Sequence, residues 1–138
     1  MIEIRNASEA DLDEIFRIQS ASPEAAQWNV AGYLSHECLV AVAEGRIAGF
    51  VSARKTAPGE YEILNLAVDP PLRRQGVARG LLERLLTGLS GSVFLEVRQS
   101  NVAARKLYHA LGFEAVAVRA NYYQSPGESA IVMKFYSC

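Results

Sequence analysis

Leu66-Ala67-Val68-Asp69-Pro70-Pro71-Leu72-Arg73-Arg74-Gln75-Gly76-Val77-Ala78-Arg79-Gly80-Leu81-Leu82 decides how this chain folds. It opens as the end of an apolar run, Tyr61–Val68. Asp69-Pro70-Pro71 must stop that run as a strand, because two prolines cannot continue a central ladder. It closes as a helix: Val77, Leu81, Leu82, Leu85, Leu86 and Leu89 form one apolar stripe that ends near Gly88 or Gly91. Between the two lies Arg73-Arg74-Gln75-Gly76-Val77-Ala78. A helix start leaves backbone N–H groups without intrahelical partners and carries about half a positive charge. Gly76 and Ala78 let a ligand approach the backbone, and Arg73, Arg74 and Arg79 add positive charge. The pattern suits a pyrophosphate; it suits equally a solvated arginine-rich turn. A P-loop is excluded because no Gly-Lys-[Ser/Thr] follows, and the three-glycine dinucleotide fingerprint is absent as well.

Outward from this stretch the chain alternates strands and helices. Ile2, Ile4 and Asn6 against Glu3 and Arg5 read as a strand, and Ser8 with Asp11 as a capping box. The helix that follows carries Leu12, Ile15 and Phe16 on one stripe. Asn29 caps a second short helix with Val30, Tyr33 and Leu34 at helical spacing. Cys38–Glu44 and Arg46–Arg54 form a hairpin hinged at Glu44-Gly45-Arg46, and Pro58-Gly59 turns the chain into Tyr61–Val68. Ser92–Val97 is a strand, Asn101–Leu111 a helix with Gly112 beyond its end, and Phe113–Tyr123 and Ser129–Tyr136 are the last strands. The order βααβββαβαββ predicts an α/β (α+β) fold. Its mixed central sheet has about seven strands, with parallel pairing in the second half and four flanking helices.

Residues 1–138 fit one domain, which at this size buries roughly 68–70% of the unfolded chain's surface. Fourteen basic against fifteen acidic side chains give a formal charge of −1, so no overall basic excess points to nucleic acid or an anionic membrane. Cys38 opens an apolar run and Cys138 ends the chain; neither has His or Cys at metal-ligand spacing, and no metal is expected. The charged alternation at the N-terminus has no apolar export region, and no stretch is long and apolar enough for a membrane span. The expected address is the cytoplasm.

Arg73, Gly76 and Ala78, preceded by Leu66-Ala67-Val68-Asp69-Pro70, resemble the [Gln/Arg]-x-x-Gly-x-[Gly/Ala] motif of the Gcn5-related N-acetyltransferase (GNAT) superfamily. The resemblance implies a GNAT fold and acetyl-coenzyme A as cosubstrate. It further implies that the turn Arg73, Arg74, Gln75, Gly76, Val77, Ala78 and Arg79 binds the cosubstrate, with the backbone amides of Arg74 through Arg79 on the pyrophosphate. The splayed strand end Leu66, Ala67 and Val68 would then hold the pantetheine arm and polarise the thioester carbonyl. Within the superfamily, Leu95-Glu96-Val97-Arg98, Asn101, Leu107-Tyr108, Leu111-Gly112-Phe113 and Asn121-Tyr122-Tyr123 resemble the bacterial ribosomal-protein-alanine N-acetyltransferases (RimI type). That resemblance makes Glu96 the general base, Tyr108 the general acid and Asn101 a cosubstrate contact. It sets Tyr122 and Tyr123 along the acceptor groove and Trp28 in the acceptor segment. There Gln27-Trp28 stands where relatives often carry Pro-Trp.

The chemistry accounts for such a pair. A peptide α-amine with a pKa of about 7.7–8.0 is roughly one-tenth neutral at pH 7, and only the neutral amine attacks a thioester. Lysine, near a pKa of about 10.4, is neutral at about the 10⁻⁴ to 10⁻³ level. A carboxylate that removes the proton and a phenol that protonates the departing thiolate each contribute about 10²–10⁴-fold. Read without the resemblance, Glu96 is better taken as a solvated strand residue and Tyr108 as an ordinary packing residue with its hydroxyl at the rim. The acceptor implied is a protein N-terminus. The alternatives on the same scaffold are a lysine or small-molecule amine, or a noncatalytic acetyl-coenzyme A module.

Overall fold

The computed structural model describes residues 2–22, 25–124 and 127–137. Cys138 therefore lies outside the described residues. The strands are β1 (Ile2–Asn6), β2 (Glu37–Ala43), β3 (Arg46–Ala57), β4 (Glu60–Val68), β5 (Gly91–Arg98), β6 (Glu114–Gln124) and β7 (Gly127–Ser137). The α-helices are α1 (Leu12–Ser20), α2 (Val77–Gly88) and α3 (Val102–Ala110), with 3₁₀ turns at Glu9–Asp11, Val30–Ser35 and Pro70–Leu72. The strands form one mixed sheet in the order β1-β2-β3-β4-β5-β7-β6. Among the described residues β4 and β5 are its one parallel pair, joined by the crossover through α2, as the alternation of strands and helices predicts.

Each face of the sheet has its own core. On one, α2 lays Val77, Leu81, Leu82, Leu85, Leu86 and Leu89 over Val51, Ala53 and Val93, and Tyr108 of α3 joins the same cluster. On the other, Ile15 and Ile18 of α1 and Tyr33 pack on Val40, Phe50 and Ala67. Burying side chains of this size stabilises by about 1.5–3 kcal/mol each, so the periodicity that marks α2 is also what holds it to the sheet.

Two details of the N-terminal region differ from the sequence reading. α1 buries Ile15, Ile18 and Gln19, leaving Phe16 57% exposed, because the stripe runs at i, i+3 and i+4 from Ile15 and a polar residue takes its last place. The second helix is a 3₁₀ turn. At three residues per turn Val30 and Tyr33 eclipse each other toward the core, while Leu34 turns outward. Asn29 caps it as expected, its side chain accepting from the Ala31 amide at 3.1 Å. The Ser8–Asp11 capping box also forms, and Asp11 is further held by a two-pronged bond from Arg5 at 2.8 and 3.0 Å.

Candidate active site

β4 and β5 pair only from Glu60 to Glu62 against Ser92 to Phe94, although both strands run on to Val68 and Arg98. The cause lies two residues further along β4. Ser52 of β3 pairs with Asn65 and Ala53 with Ile63, so Leu64 is an extra residue, a bulge that bends β4 away from β5. The bulge is fastened from outside, where Trp28 Nε1 donates to the Leu64 carbonyl at 3.2 Å. Where the strands part, a cleft of about 880 Å³ opens through the sheet, lined by Leu66, Ala67 and Val68 on one side and Leu95, Glu96 and Val97 on the other.

One end of this cleft is the turn before α2. Arg74 (φ 65°) and Gly76 (φ 82°) both stand in the left-handed region, a backbone conformation of the kind found in anion-binding concavities. Among the described residues no side chain caps α2, and its first turn carries no acidic residue. Its positive end thus faces the cleft, whose lining includes Arg73, Arg74, Gly76, Val77, Ala78 and Arg79 but not Gln75. The charges are less concentrated than the sequence suggests. Arg73 donates to the Val68 carbonyl at 3.3 Å and to Ser22 Oγ at 3.0 Å, bracing the strand end, and Arg79 leans 3.6 Å from Glu83. Asp69, which stops β4, is held by Arg17 of α1 at 3.1 Å.

At the other end the structure brings together residues far apart in sequence. Glu96 lies on the face of β5 opposite buried Val93, Leu95 and Val97, and Tyr108 reaches the cleft from α3. The Tyr108 ring packs on Phe113 at 5.7 Å, and burial pushes its phenol well above the usual tyrosine range. It is therefore a proton-bearing donor throughout the neutral range. Asn101 lines the cleft beside it, its carboxamide oxygen accepting from the Ala104 amide at 3.2 Å to cap α3.

The β6–β7 hairpin supplies the outer rim. Arg119 pairs with Ala130 and Tyr123 with Glu128, so β6 carries extra residues in between, with Asn121 at φ 55°. This bulge lets Arg119, Tyr122 and Tyr123 gather on one side despite strand alternation. Arg119 Nη1 donates to Glu96 Oε1 at 2.6 Å, and its guanidinium lies 4.2 Å over the Tyr122 ring. Tyr122 meets Tyr123 edge-on at 5.1 Å, and Arg98 covers the Tyr123 ring at 4.1 Å. Burial raises both phenols, Tyr122 further through its hydrogen bond to Glu96 and both through the Glu96 charge. Of the expected acceptor residues, Tyr123 lines the cleft, whereas Tyr122 and Trp28 stand outside its lining.

Sequence reasoning missed the polar group behind β4. Tyr33 donates to Gln19 Oε1 at 2.6 Å, and Asn65 Nδ2 donates to Gln19 Oε1 (3.0 Å) and to the Ala26 carbonyl (2.7 Å). Gln19 in turn donates to the Trp28 carbonyl at 2.7 Å. All three side chains are buried, so the bonds cannot be exchanged for water, and they dock residues 25–28 against the bulged strand. Ala25, Ala26 and Gln27 line the cleft as a result. A polar residue on the buried stripe of α1, Gln19, was the available signal.

Comparison with known proteins agrees with this architecture. The profile described as acetyltransferase (GNAT) family matches residues 3–113. The chain is 33% identical, over 96% of its own length and 99% of the other's, to the [ribosomal protein bS18]-alanine N-acetyltransferase of Haemophilus ducreyi. It is 43% identical over 88 residues to the uncharacterized protein ML0378 of Mycobacterium leprae, and the match spans only 24% of that longer protein. The crystal structure of the ribosomal-protein-S18-alanine N-acetyltransferase from Escherichia coli superposes with a TM-score of 0.85 and 31% identity, covering 99% of this chain and 94% of that one. With a bulged β4 parting from β5 ahead of an open helix start, the chain belongs to the GNAT family of acetyltransferases.

Proposed function

We propose that this chain transfers acetyl from acetyl-coenzyme A to the free α-amine of a protein N-terminus, with alanine as the first residue, by direct attack in a ternary complex. One observation carries the reading: a single cleft runs from the start of α2, which no described side chain caps, along the stretch of β4 that has parted from β5, to Glu96 and Tyr108. The backbone amides at the start of α2 take the pyrophosphate, and the β4 edge from Leu66 to Val68 takes the pantetheine arm as a strand would. The names of the Haemophilus ducreyi and Escherichia coli relatives support the alanine N-terminus. The setting would be the cytoplasm, and no described helix is long and apolar enough to cross a membrane.

In this reading Glu96 accepts the proton that the ammonium must lose before attack. The neutral amine attacks the thioester carbonyl, and the nitrogen–carbon bond forms as the carbon–sulfur bond breaks. The nitrogen's second proton passes to the departing sulfur to leave the free thiol, and Tyr108 hydrogen-bonds that sulfur as its charge develops. A thiol has a pKa of about 8.5, below that of a tyrosine at about 10 and further below one raised by burial. Full proton transfer from Tyr108 is therefore uphill, and its main contribution is a hydrogen bond to the charge developing on sulfur. The test offers acetyl-coenzyme A with peptides that begin with a free or a blocked alanine, each with and without lysine, and with a small amine. Turnover is expected wherever the terminus is free. Turnover only on lysine or the small amine would move the acceptor, and tight cosubstrate binding without turnover on any amine would leave a noncatalytic module.

A further inference from the structure

Glu96, read above as the group that takes the amine's proton, already has a cation on it. Arg119 Nη1 lies 2.6 Å from Glu96 Oε1, within the distance an acceptor ammonium would need. The two partners differ in freedom: the Glu96 side chain is 19% exposed on a central strand, the Arg119 side chain 53% exposed on edge strand β6. The carboxylate is fixed and the guanidinium can leave. Its alternative resting place is built in, since Arg119 lies 4.2 Å over the face of Tyr122 and can hold that contact when the ion pair opens. The wide bulge around Asn121 is what brings Arg119 and Tyr122 to the same side of β6. Other charge faces Arg119 from β4, where Glu62 is itself engaged by Arg54 at 2.8 Å.

We propose that the Arg119 guanidinium occupies the acceptor ammonium's place on Glu96 and yields it when the acceptor binds, so that Arg119 sets acceptor affinity. The inference rests on the assignment of Glu96 as the proton acceptor. Two cations compete for one carboxylate, and a site that is open only part of the time loses affinity in proportion. Exposed pairs of this kind favour the closed form by a factor of about 1.5 to 5, so removing Arg119 should tighten acceptor binding about two- to sixfold.

The experiment compares the full chain with Arg119→Gln, Arg119→Lys, Glu96→Gln and the Arg119→Gln/Glu96→Gln double variant. Two readouts are taken. The first is steady-state kinetics with a peptide that begins with a free alanine. The second is titration of alaninamide, which carries the α-ammonium alone, followed at the ¹³C-labelled carboxyl carbon of Glu96 where that residue is present and by calorimetry in every variant. Arg119→Gln should lower the acceptor KM and tighten alaninamide about two- to sixfold, with the acetyl-coenzyme A KM within about twofold of the parent. Arg119→Lys, which restores a cation, should return both toward the parent values. On the Glu96→Gln background the Arg119 substitution should change neither. Unchanged or weaker alaninamide binding in Arg119→Gln would overturn the proposal, as would a fall in kcat at constant acceptor KM, which would make Arg119 an orienting partner of Glu96 instead. A parent chain that acetylates no peptide would refute the proposed function, and a Glu96→Gln variant with full turnover would remove the proton-accepting role from Glu96; the alaninamide titration still decides Arg119 in either case.

Discussion

Replacing Gly49 by alanine tests whether the end of β4 and the start of α2 are held at the separation the cleft requires. Gly49 lies in β3 opposite Val68, under the junction of the two elements. A Cβ there would meet the Ala67 carbonyl oxygen at 2.8 Å, Val77 Cγ1 at 3.1 Å and Val68 Cα at 3.3 Å. Two of the three obstacles are backbone, which no rotamer change relieves. Bringing the tightest contact to ordinary van der Waals distance moves β4 outward by about 0.6 Å, and overpacking of this kind costs about 1–3 kcal/mol. Because Ala67, Val68 and Val77 all line the cleft, the same movement displaces the groups read here as holding the cosubstrate. A misplacement of about 1 Å can cost about 10²-fold, so roughly tenfold is expected in kcat/KM for acetyl-coenzyme A. Urea unfolding gives the stability change and calorimetry the cosubstrate affinity. Gly32→Ala, whose Cβ would meet nothing within 4 Å, serves as the control and should match the parent. A Gly49→Ala chain with the parent's urea midpoint and affinity would refute the tight junction.

Tyr108→Phe should lower turnover at least tenfold, up to the roughly 10²–10³-fold that losing one donor to a developing negative charge costs, with the acetyl-coenzyme A Kd nearly unchanged. Since burial raises the Tyr108 phenol, the parent's activity should show no falling limb from this residue up to about pH 9.5; a limb near pH 8–9 that vanishes in the variant would contradict that. Gly76→Val forces a β-branched side chain into φ 82°, where even alanine costs about 1–2 kcal/mol, and should weaken cosubstrate binding in calorimetry while leaving the sheet's circular dichroism intact. Asp11 is held down to about 2 by the Arg5 guanidinium, its stabilising contribution complete above its ordinary unfolded value near 4 and lost as pH falls through about 2. Asp11→Asn should therefore cost about 1–2 kcal/mol at pH 7, discounted because Arg5 is 42% exposed, and the difference from the parent in urea unfolding should shrink below about pH 3.

How legible the molecule is depends on the range of the physics involved. Periodicity is local, so the leucine stripe of α2, the alternation that sets Glu96 opposite Val93, Leu95 and Val97, and the strand stop at Asp69-Pro70-Pro71 all stand where the residues place them. So does the turn at Gly76, because positive φ is a property of one residue and glycine adopts it without strain. Leu34 and Phe16, placed on the stripes of idealised helices, stand exposed because burial there is settled by what the sheet can cover.

What the tertiary structure alone decides is non-local. The parting of β4 from β5 follows from one extra residue in the β3–β4 register, and register is set by packing across strands. Arg73 braces Val68 and Ser22 while it lines the cleft, because a partner 51 residues away supplies the hydroxyl. Arg119 meets Glu96 across 23 residues, and Asn65 meets Gln19 across 46. Pairings at such separations leave no period in the chain. The sequence by itself determined the elements, the turn and the family of chemistry; only the folded chain decided which charges stand free in the cleft, since that depends on side chains meeting after the backbone has closed.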